Sequence, residues 1–239
     1  MSAFRFKQFT VHQQGAAMKV GTDGVLLGAW AGAITVHEPS RILDIGTGSG
    51  VIALMMAQRF PTAVVDAVEL DPSAAQQSME NFAGSPWPSR LHLWQGDFRH
   101  VSAVLSGPYD LIVCNPPYFS KGWPVEDDAR HKARVAEQLP QELLLQQVKK
   151  IIQPNGALAV VLPTLESEHF TEQALQQGWR LSRRTDVRTR MDKPVKRVLT
   201  EWVPHTVSAH CSELVIHPTN GEGYTDEYKR LTREFYLAF

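Results

Sequence analysis

Short apolar runs alternate along this chain with longer stretches whose apolar positions recur at helical spacing, and that alternation predicts an α/β fold with a parallel sheet between helices. Arg41-Ile-Leu-Asp-Ile45 reads as a first strand and residues 51–59 as the helix after it. A second strand spans 63–69. Asp71-Pro72-Ser73 then opens a helix to about Phe82, with an acidic cap and a proline just inside. Third and fourth strands cover 91–94 and 109–114, and continuous apolar character marks the fourth as buried on both faces.

Further on, a helix over 139–152 ends before the turn Pro154-Asn155-Gly156, and a fifth strand covers 157–162. The next helix, 165–177, stops at Gly178, a C-cap glycine. Strands over 179–187 and 196–203 pair as a hairpin at one edge of the sheet. The tail beyond Pro204 adds a short strand near 214–217 and a helix from about Asp226. The segment 18–30 is glycine-rich and then apolar, a loop running into a helix that covers the ligand end of the sheet. The organisation expected is one domain: an N-terminal cap (1–40), a core (41–203) and a C-terminal extension (204–239).

Composition changes this picture little. The chain has 239 residues, 43% of them hydrophobic, enough for a full core. No apolar run approaches the roughly 18 residues of a membrane span, and Arg5 and Lys7 stand where a signal peptide would be apolar. A cytoplasmic protein with no membrane contact is expected. Cys114 and Cys211 are isolated, so neither a zinc cluster nor a disulfide scaffold is indicated, and Cys114 is expected in the core.

Charge is uneven although the net value is −1. Between Arg180 and Arg197 lie eight Arg or Lys residues against Asp186 and Asp192, a local charge of +6. Solvated surface would account for such a run, but its density suggests a phosphate-binding face. A smaller cluster, Arg130, His131, Lys132 and Arg134, reads as solvated surface.

The most informative chemistry lies at the end of the fourth strand, in Asn115-Pro116-Pro117-Tyr118. Both prolines lack an N–H, and Pro116 biases Asn115 toward an extended conformation. The Asn115 side-chain oxygen and the Pro116 carbonyl can accept the two N–H groups of an exocyclic amine, and Tyr118 can stack on its ring. On their own the four residues fit an ordinary proline-rich turn equally well. Their place at a strand's carboxyl end, where open α/β sheets bind ligands, favours the site.

A second constellation supports it. Asp44-Ile-Gly-Thr-Gly-Ser-Gly50 follows the first strand and opens a helix. Gly46, Gly48 and Gly50 let backbone approach a ligand, yet Val51 stands where a dinucleotide fingerprint has its third glycine. Asp44 would repel a pyrophosphate and favour a cationic ligand. Glu69, nineteen positions after Gly50 and ending the second strand, is placed to accept from ribose hydroxyls, and Asp97 after the third strand from an adenine amino group. Each carboxylate alone could be a helix cap. Together they fit S-adenosylmethionine, which carries ribose, adenine and a charged amino acid moiety without phosphate.

With these residues the sequence resembles the class I S-adenosylmethionine-dependent methyltransferases that modify amino groups. It is most similar to the bacterial tRNA (adenine-N6)-methyltransferases acting on position 37 of a valine tRNA. Lys19-Val-Gly-Thr-Asp-Gly24, Leu43-Asp-Ile-Gly46, Asp66-Ala-Val-Glu69, Asn115-Pro-Pro-Tyr118, Arg184-Thr-Asp186 and Phe235-Tyr-Leu237 carry that similarity. It implies a Rossmann-like sheet of seven mostly parallel strands in the order 3-2-1-4-5-7-6, with the seventh antiparallel. It also implies that Lys19 and Thr22 join Asp44, Gly46, Gly48, Gly50, Glu69, Asp97 and Asn115 around the cofactor.

The mechanism expected is in-line transfer of the sulfonium methyl to the N6 of a loop adenine in tRNA, with no metal and no covalent intermediate. Asn115, Pro116, Pro117 and Tyr118 would grip the base, and Arg183, Arg184, Arg188, Arg190, Lys193, Lys196 and Arg197 would hold the anticodon-loop backbone. No obligate protein partner is evident. Three alternatives stand beside it. A protein glutamine N5-methyltransferase needs the same acceptors but no basic face. A DNA adenine methyltransferase would need a target-recognition region, which is not evident. A non-catalytic RNA-binding module would have no use for the joint presence of Asp44, Glu69, Asp97 and Asn115.

Overall fold

Eight strands form one sheet in the computed structural model, which describes residues 3–14, 19–33, 38–105, 107–116 and 139–239. Pro117, Tyr118 and the cluster Arg130–Arg134 lie outside the described residues. In chain order the elements begin with an antiparallel pair apart from the main sheet, β1 (Ala3–Arg5) and β2 (Thr10–His12), then α1 (Thr22–Trp30). Next come β3 (Arg41–Ile45), α2 (Val51–Arg59), β4 (Val64–Glu69), α3 (Pro72–Ala83), β5 (Leu91–Gln95), the short α4 (Phe98–Val101) and β6 (Tyr109–Cys114). The chain continues with α5 (Gln141–Ile151), β7 (Ile152–Pro163), α6 (Thr164–Gln176), β8 (Arg180–Arg188), β9 (Val195–Val203), β10 (His210–Val215) and α7 (Asp226–Thr232).

The sheet order is β10-β8-β9-β7-β6-β3-β4-β5. Leaving out β10, this is the expected 3-2-1-4-5-7-6 arrangement, and β9 is antiparallel to both of its neighbours. The sheet therefore has eight strands where the sequence suggested seven. The tail strand pairs parallel to β8, with Arg184 opposite Cys211. That corrects a second expectation, because β10 covers β8 and the basic hairpin is not the sheet's edge.

Successive residues of the buried strands feed opposite cores. Ile42, Leu111 and Val113 face one core with α1, α2 and α7 residues such as Val25, Leu54 and Tyr228. Leu43, Ile112 and Cys114 face the other with Leu144, Val148 and Phe170 of α5 and α6. The first core runs from Phe6 to Phe235, so the N-terminal pair and the C-terminal tail share it. In the tail, Lys7 N–H donates to the Phe235 carbonyl at 2.8 Å.

Local chemistry sets the boundaries. Asp71 caps α3 by accepting the Ala74 N–H at 2.8 Å, with Pro72 in the first turn. Gly178 follows α6 at φ 81°. The expected turn at 154–156 is instead an irregularity within β7, where pairing with β6 steps from Tyr109–Ile152 to Leu111–Ala157. Pro154 has no ladder donor, and a Cβ on Gly156 would stand 2.7 Å from the Tyr109 carbonyl oxygen, so the chain bulges here rather than turning out of the sheet.

Candidate active site

All of the parallel strands and β8 end at one edge of the sheet, where their following loops converge. The β8–β9 connection and the segment after β10 reach the same edge, because β8 and β10 run parallel to each other and antiparallel to β9.

The loop after β3 is shaped by Asp44. Its fully buried carboxylate accepts the Thr47 hydroxyl at 2.6 Å and the Ala53 N–H at 3.1 Å, tying the loop to the first turn of α2. Burial pushes its pKa up to about 7 against the lowering effect of those two hydrogen bonds. Its second oxygen, Oδ1, is buried with no partner among the described residues. Gly46, Gly48 and Gly50 all have positive φ. No atom lies within 4 Å of where a Cβ would stand on Gly46 or Gly48, whereas at Gly50 it would meet the Phe82 ring at 2.6 Å. Gly50 thus serves packing between α2 and α3, while the first two leave backbone bare.

Glu69 bridges two strand ends. One carboxylate oxygen accepts the Gly48 N–H at 2.7 Å and the other the Asp71 N–H at 2.9 Å. Asp97 caps α4 by accepting the Arg99 N–H, and its ion pair with the Arg99 side chain holds its carboxyl below the usual range.

A cleft of about 530 Å³ opens beside this loop. Of the residues expected around a cofactor, Lys19, Thr22, Gly46, Gly48 and Asn115 line it, whereas Asp44, Gly50, Glu69 and Asp97 do not. Asn115 follows β6 directly, and its side-chain oxygen is buried with no hydrogen-bond partner among the described residues. An unpaired buried acceptor is costly, so its place in a cleft marks a position where a donor is received.

The basic segment is more divided than its sequence suggests. Arg183 is turned inward: its guanidinium lies 4.0 Å from the centre of the Trp30 ring and donates to the Trp30 carbonyl at 2.9 Å. There it joins Glu201, 1% exposed, and Arg59, whose pKa burial pushes down to about 10. This corrects its expected place on the RNA face; period-2 alternation in β8 sends Arg183 beneath α1 and Arg184 to the other side. Arg184 pairs with Asp186 and Arg188 with Glu213. Arg190, Lys193 and Lys196 line a second cavity of about 520 Å³, which shares Thr189, Lys196 and His217 with the first. Arg197 lines the main cleft and is paired with Asp23 at 2.7 Å.

Several cleft residues escaped sequence reasoning. Thr47 and Ser49 lie between glycines already singled out, and Asp23 and Gly24 within the glycine-rich segment. His217, Tyr224 and Tyr228 come from the tail, and no local spacing announces them; Tyr236 lies in the Phe235-Tyr-Leu237 motif, which assigned it no role.

Comparison with known proteins bears on the family and the fold. The methyltransferase small domain family model matches residues 29–184. A relative from Serratia proteamaculans (strain 568), named tRNA1(Val) (adenine(37)-N6)-methyltransferase, is 44% identical over 238 residues, 99% of this chain and 90% of its own. One from Bacteroides fragilis with the same name is 45% identical over 236 residues, covering 98% of this chain and 97% of its own. Among solved structures, a predicted O-methyltransferase from Agrobacterium tumefaciens matches with a TM-score of 0.66 at 18% identity, over 89% of this chain and 96% of that one. The glycopeptide N-methyltransferase MtfA complexed with S-adenosylmethionine matches with a TM-score of 0.58 at 14% identity, over 79% of this chain and 90% of that one. These two likenesses are of fold.

Proposed function

We infer that this chain, which belongs to the tRNA1(Val) (adenine(37)-N6)-methyltransferase family and carries the methyltransferase small domain, methylates the exocyclic N6 of an adenine in tRNA, at position 37 beside the anticodon. The observation that carries the reading is the buried Asn115 oxygen, without a partner among the described residues, in the cleft beside the glycine loop. It offers an acceptor where an amino group must be held.

The residues present fit S-adenosylmethionine. Gly46 and Gly48 leave bare backbone at the cleft, and Lys19, Thr22, Thr47 and Ser49 offer polar groups to the amino acid moiety. Glu69 and Asp97 each keep acceptor capacity beyond the bonds they make, since an ionised carboxylate has about four lone-pair sites; they would take ribose and adenine. Asp44 would hold the loop and lend negative charge near a cation. When bound, the cofactor supplies an electrophilic methyl carbon whose bonding pair to sulfur departs with the sulfur.

The chain's own contribution is orientation. Adenine's amino lone pair is delocalised into the ring, so the nitrogen must pyramidalise to attack. Acceptors at Asn115 and Pro116 would strengthen their hold on its two N–H groups as that happens. Pro117 stiffens the segment and Tyr118 would fix the base plane. The amino proton lost on methylation passes to solvent, because the amide and carbonyl oxygens of this acceptor pair are too weakly basic to keep it. Lys196, Arg190, Lys193 and Arg197 would meet phosphates, with Arg184 and Arg188 further along the strand. The exposed ion pair of Arg188 contributes little and yields readily to phosphate, whereas those of Arg184 and Arg197 are partly buried. No described helix is long and apolar enough to cross a membrane, and a tRNA substrate supports a cytoplasmic location.

A glutamine substrate would present the same two donors, but the basic groove opening off the cleft favours RNA. Incubation with labelled S-adenosylmethionine and total tRNA, followed by nucleoside mass spectrometry, tests the reading. N6-methyladenosine in a valine tRNA is the expected product, and label in protein alone would overturn it.

A further inference from the structure

Drawing one adenine out of an RNA loop deprives its neighbour of a stacking partner, a cost that a flipping enzyme meets with its own surfaces. The tail offers such a surface. Tyr224 is 39% exposed and its ring stacks on that of Tyr228, with centroids 5.1 Å apart and planes within 15°. Tyr228 is only 2% exposed, so the exposed ring rests on a fixed one. His217 lies against Tyr224 with centroids 4.9 Å apart, and the Phe239 ring meets Tyr224 edge-on.

The assembly is held in place by backbone. The His217 N–H donates to the Thr189 carbonyl at 2.9 Å, joining the tail to the loop after β8. The His217 Nδ1 lies 2.7 Å from the Gly223 carbonyl oxygen. A carbonyl only accepts, so Nδ1 carries the proton, and in the neutral ring Nε2 is left as an acceptor.

Position decides what this wall meets. Tyr224 lines the main cleft, and His217 lines both that cleft and the basic groove of Arg190, Lys193 and Lys196. Lys196 also belongs to both, is exposed, and has no charged partner among the described residues. The aromatic pair therefore stands where the adenine site passes into a phosphate-attracting groove. That combination of flat rings and a cation lining the same cleft is how single-stranded RNA is held.

Building on the tRNA reading above, we propose that Tyr224 and His217 form a subsite for the base of the nucleotide next to the methylated adenine, with its phosphate at Lys196. The subsite gives the enzyme a grip on the unstacked neighbour and so on the loop's open form.

A double-mutant cycle tests this. Methylation of an anticodon stem-loop is measured with wild type and Tyr224→Leu, on intact RNA and on RNA with an abasic sugar on either side of the target adenine. On intact RNA, Tyr224→Leu is expected to raise KM about tenfold, the scale of one lost base–aromatic stack. On one of the two abasic loops the two enzymes should agree within about twofold. His217→Asn, which can still donate to the Gly223 carbonyl, should give the same pattern, and it carries the cycle by itself if Tyr224→Leu does not fold. Unchanged affinity for S-adenosylmethionine is expected in both variants. An unchanged KM in both variants, or an equal rise in KM on intact and both abasic loops, overturns the subsite while leaving the tRNA reading standing. A wild-type enzyme that methylates no RNA overturns that reading and the subsite with it.

Discussion

Glu69, at the end of β4, accepts the N–H of Gly48 in the loop after the neighbouring β3 at 2.7 Å, so one carboxylate both faces the ligand end of the sheet and fixes the loop beside it. Glu69→Ala removes both functions, and cofactor affinity is expected to fall about 10- to 100-fold, as for charge-assisted hydrogen bonds to a ligand and its support. Glu69→Gln retains an acceptor for Gly48 and should lose less. Calorimetric titration with S-adenosylmethionine measures both, and equal affinity in all three proteins would remove Glu69 from the site.

Asn115→Ala deletes an acceptor that has no partner among the described residues, without touching the glycine loop. Turnover should fall by about 100-fold or more, the scale of losing an oriented polar group that acts in the transition state, while cofactor affinity stays near wild type. Single-turnover methylation alongside cofactor binding separates the two effects.

Asp44 makes cofactor binding depend on pH. Its free-state pKa is about 7 because burial opposes ionisation. A bound cation favours the ionised form, so affinity should be flat above that value and decline as pH falls through it, by up to tenfold per unit. The fold responds with the opposite sign. A carboxyl whose folded pKa exceeds its unfolded value contributes stability that is full below the ordinary carboxylate range and is lost as pH rises through about 7. Asp44→Asn should flatten the binding profile, and calorimetry across pH 5 to 9 would show it.

Gly46 and Gly50 should separate binding from folding. At Gly50 an added Cβ meets the Phe82 ring at 2.6 Å with φ at 84°, so Gly50→Ala should cost about 2–4 kcal/mol of stability. At Gly46, φ is 71° but nothing lies within 4 Å, so Gly46→Ala should cost about 1–2 kcal/mol of stability and weaken the cofactor more than Gly50→Ala does. Urea denaturation and cofactor titration compare them.

Glu201 accepts the Gly32 N–H at 2.5 Å and interacts electrostatically with the partly buried guanidinium groups of Arg59 and Arg183. Glu201→Gln leaves those cations without a counter-charge and is expected to destabilise the protein by about 3–5 kcal/mol. Urea denaturation gives the value, and a change below about 1 kcal/mol, the range of an exposed pair, would deny the cluster its role in anchoring α1.

The sequence by itself determined the parts of this protein that depend on neighbours along the chain. β6 runs over Tyr109–Cys114 and α2 over Val51–Arg59, as their apolar patterns require, and Asp71-Pro72 starts α3 because a cap and a fixed φ act within one turn. Asn115 and the glycines were legible for the same reason, since a strand end and positive-φ turn are local events. Tertiary structure decided the rest. β10 joins β8 through a ladder between residues 27 apart in sequence, which no periodicity encodes. Arg183 and Arg184 read alike in sequence, yet pairing places one beneath Trp30 and the other beside Asp186. The aromatic wall of the cleft needed the tail to fold back onto the β8 loop, which the β10–β8 ladder and the long-range backbone bonds from Ile216 to Arg188 and from His217 to Thr189 bring about.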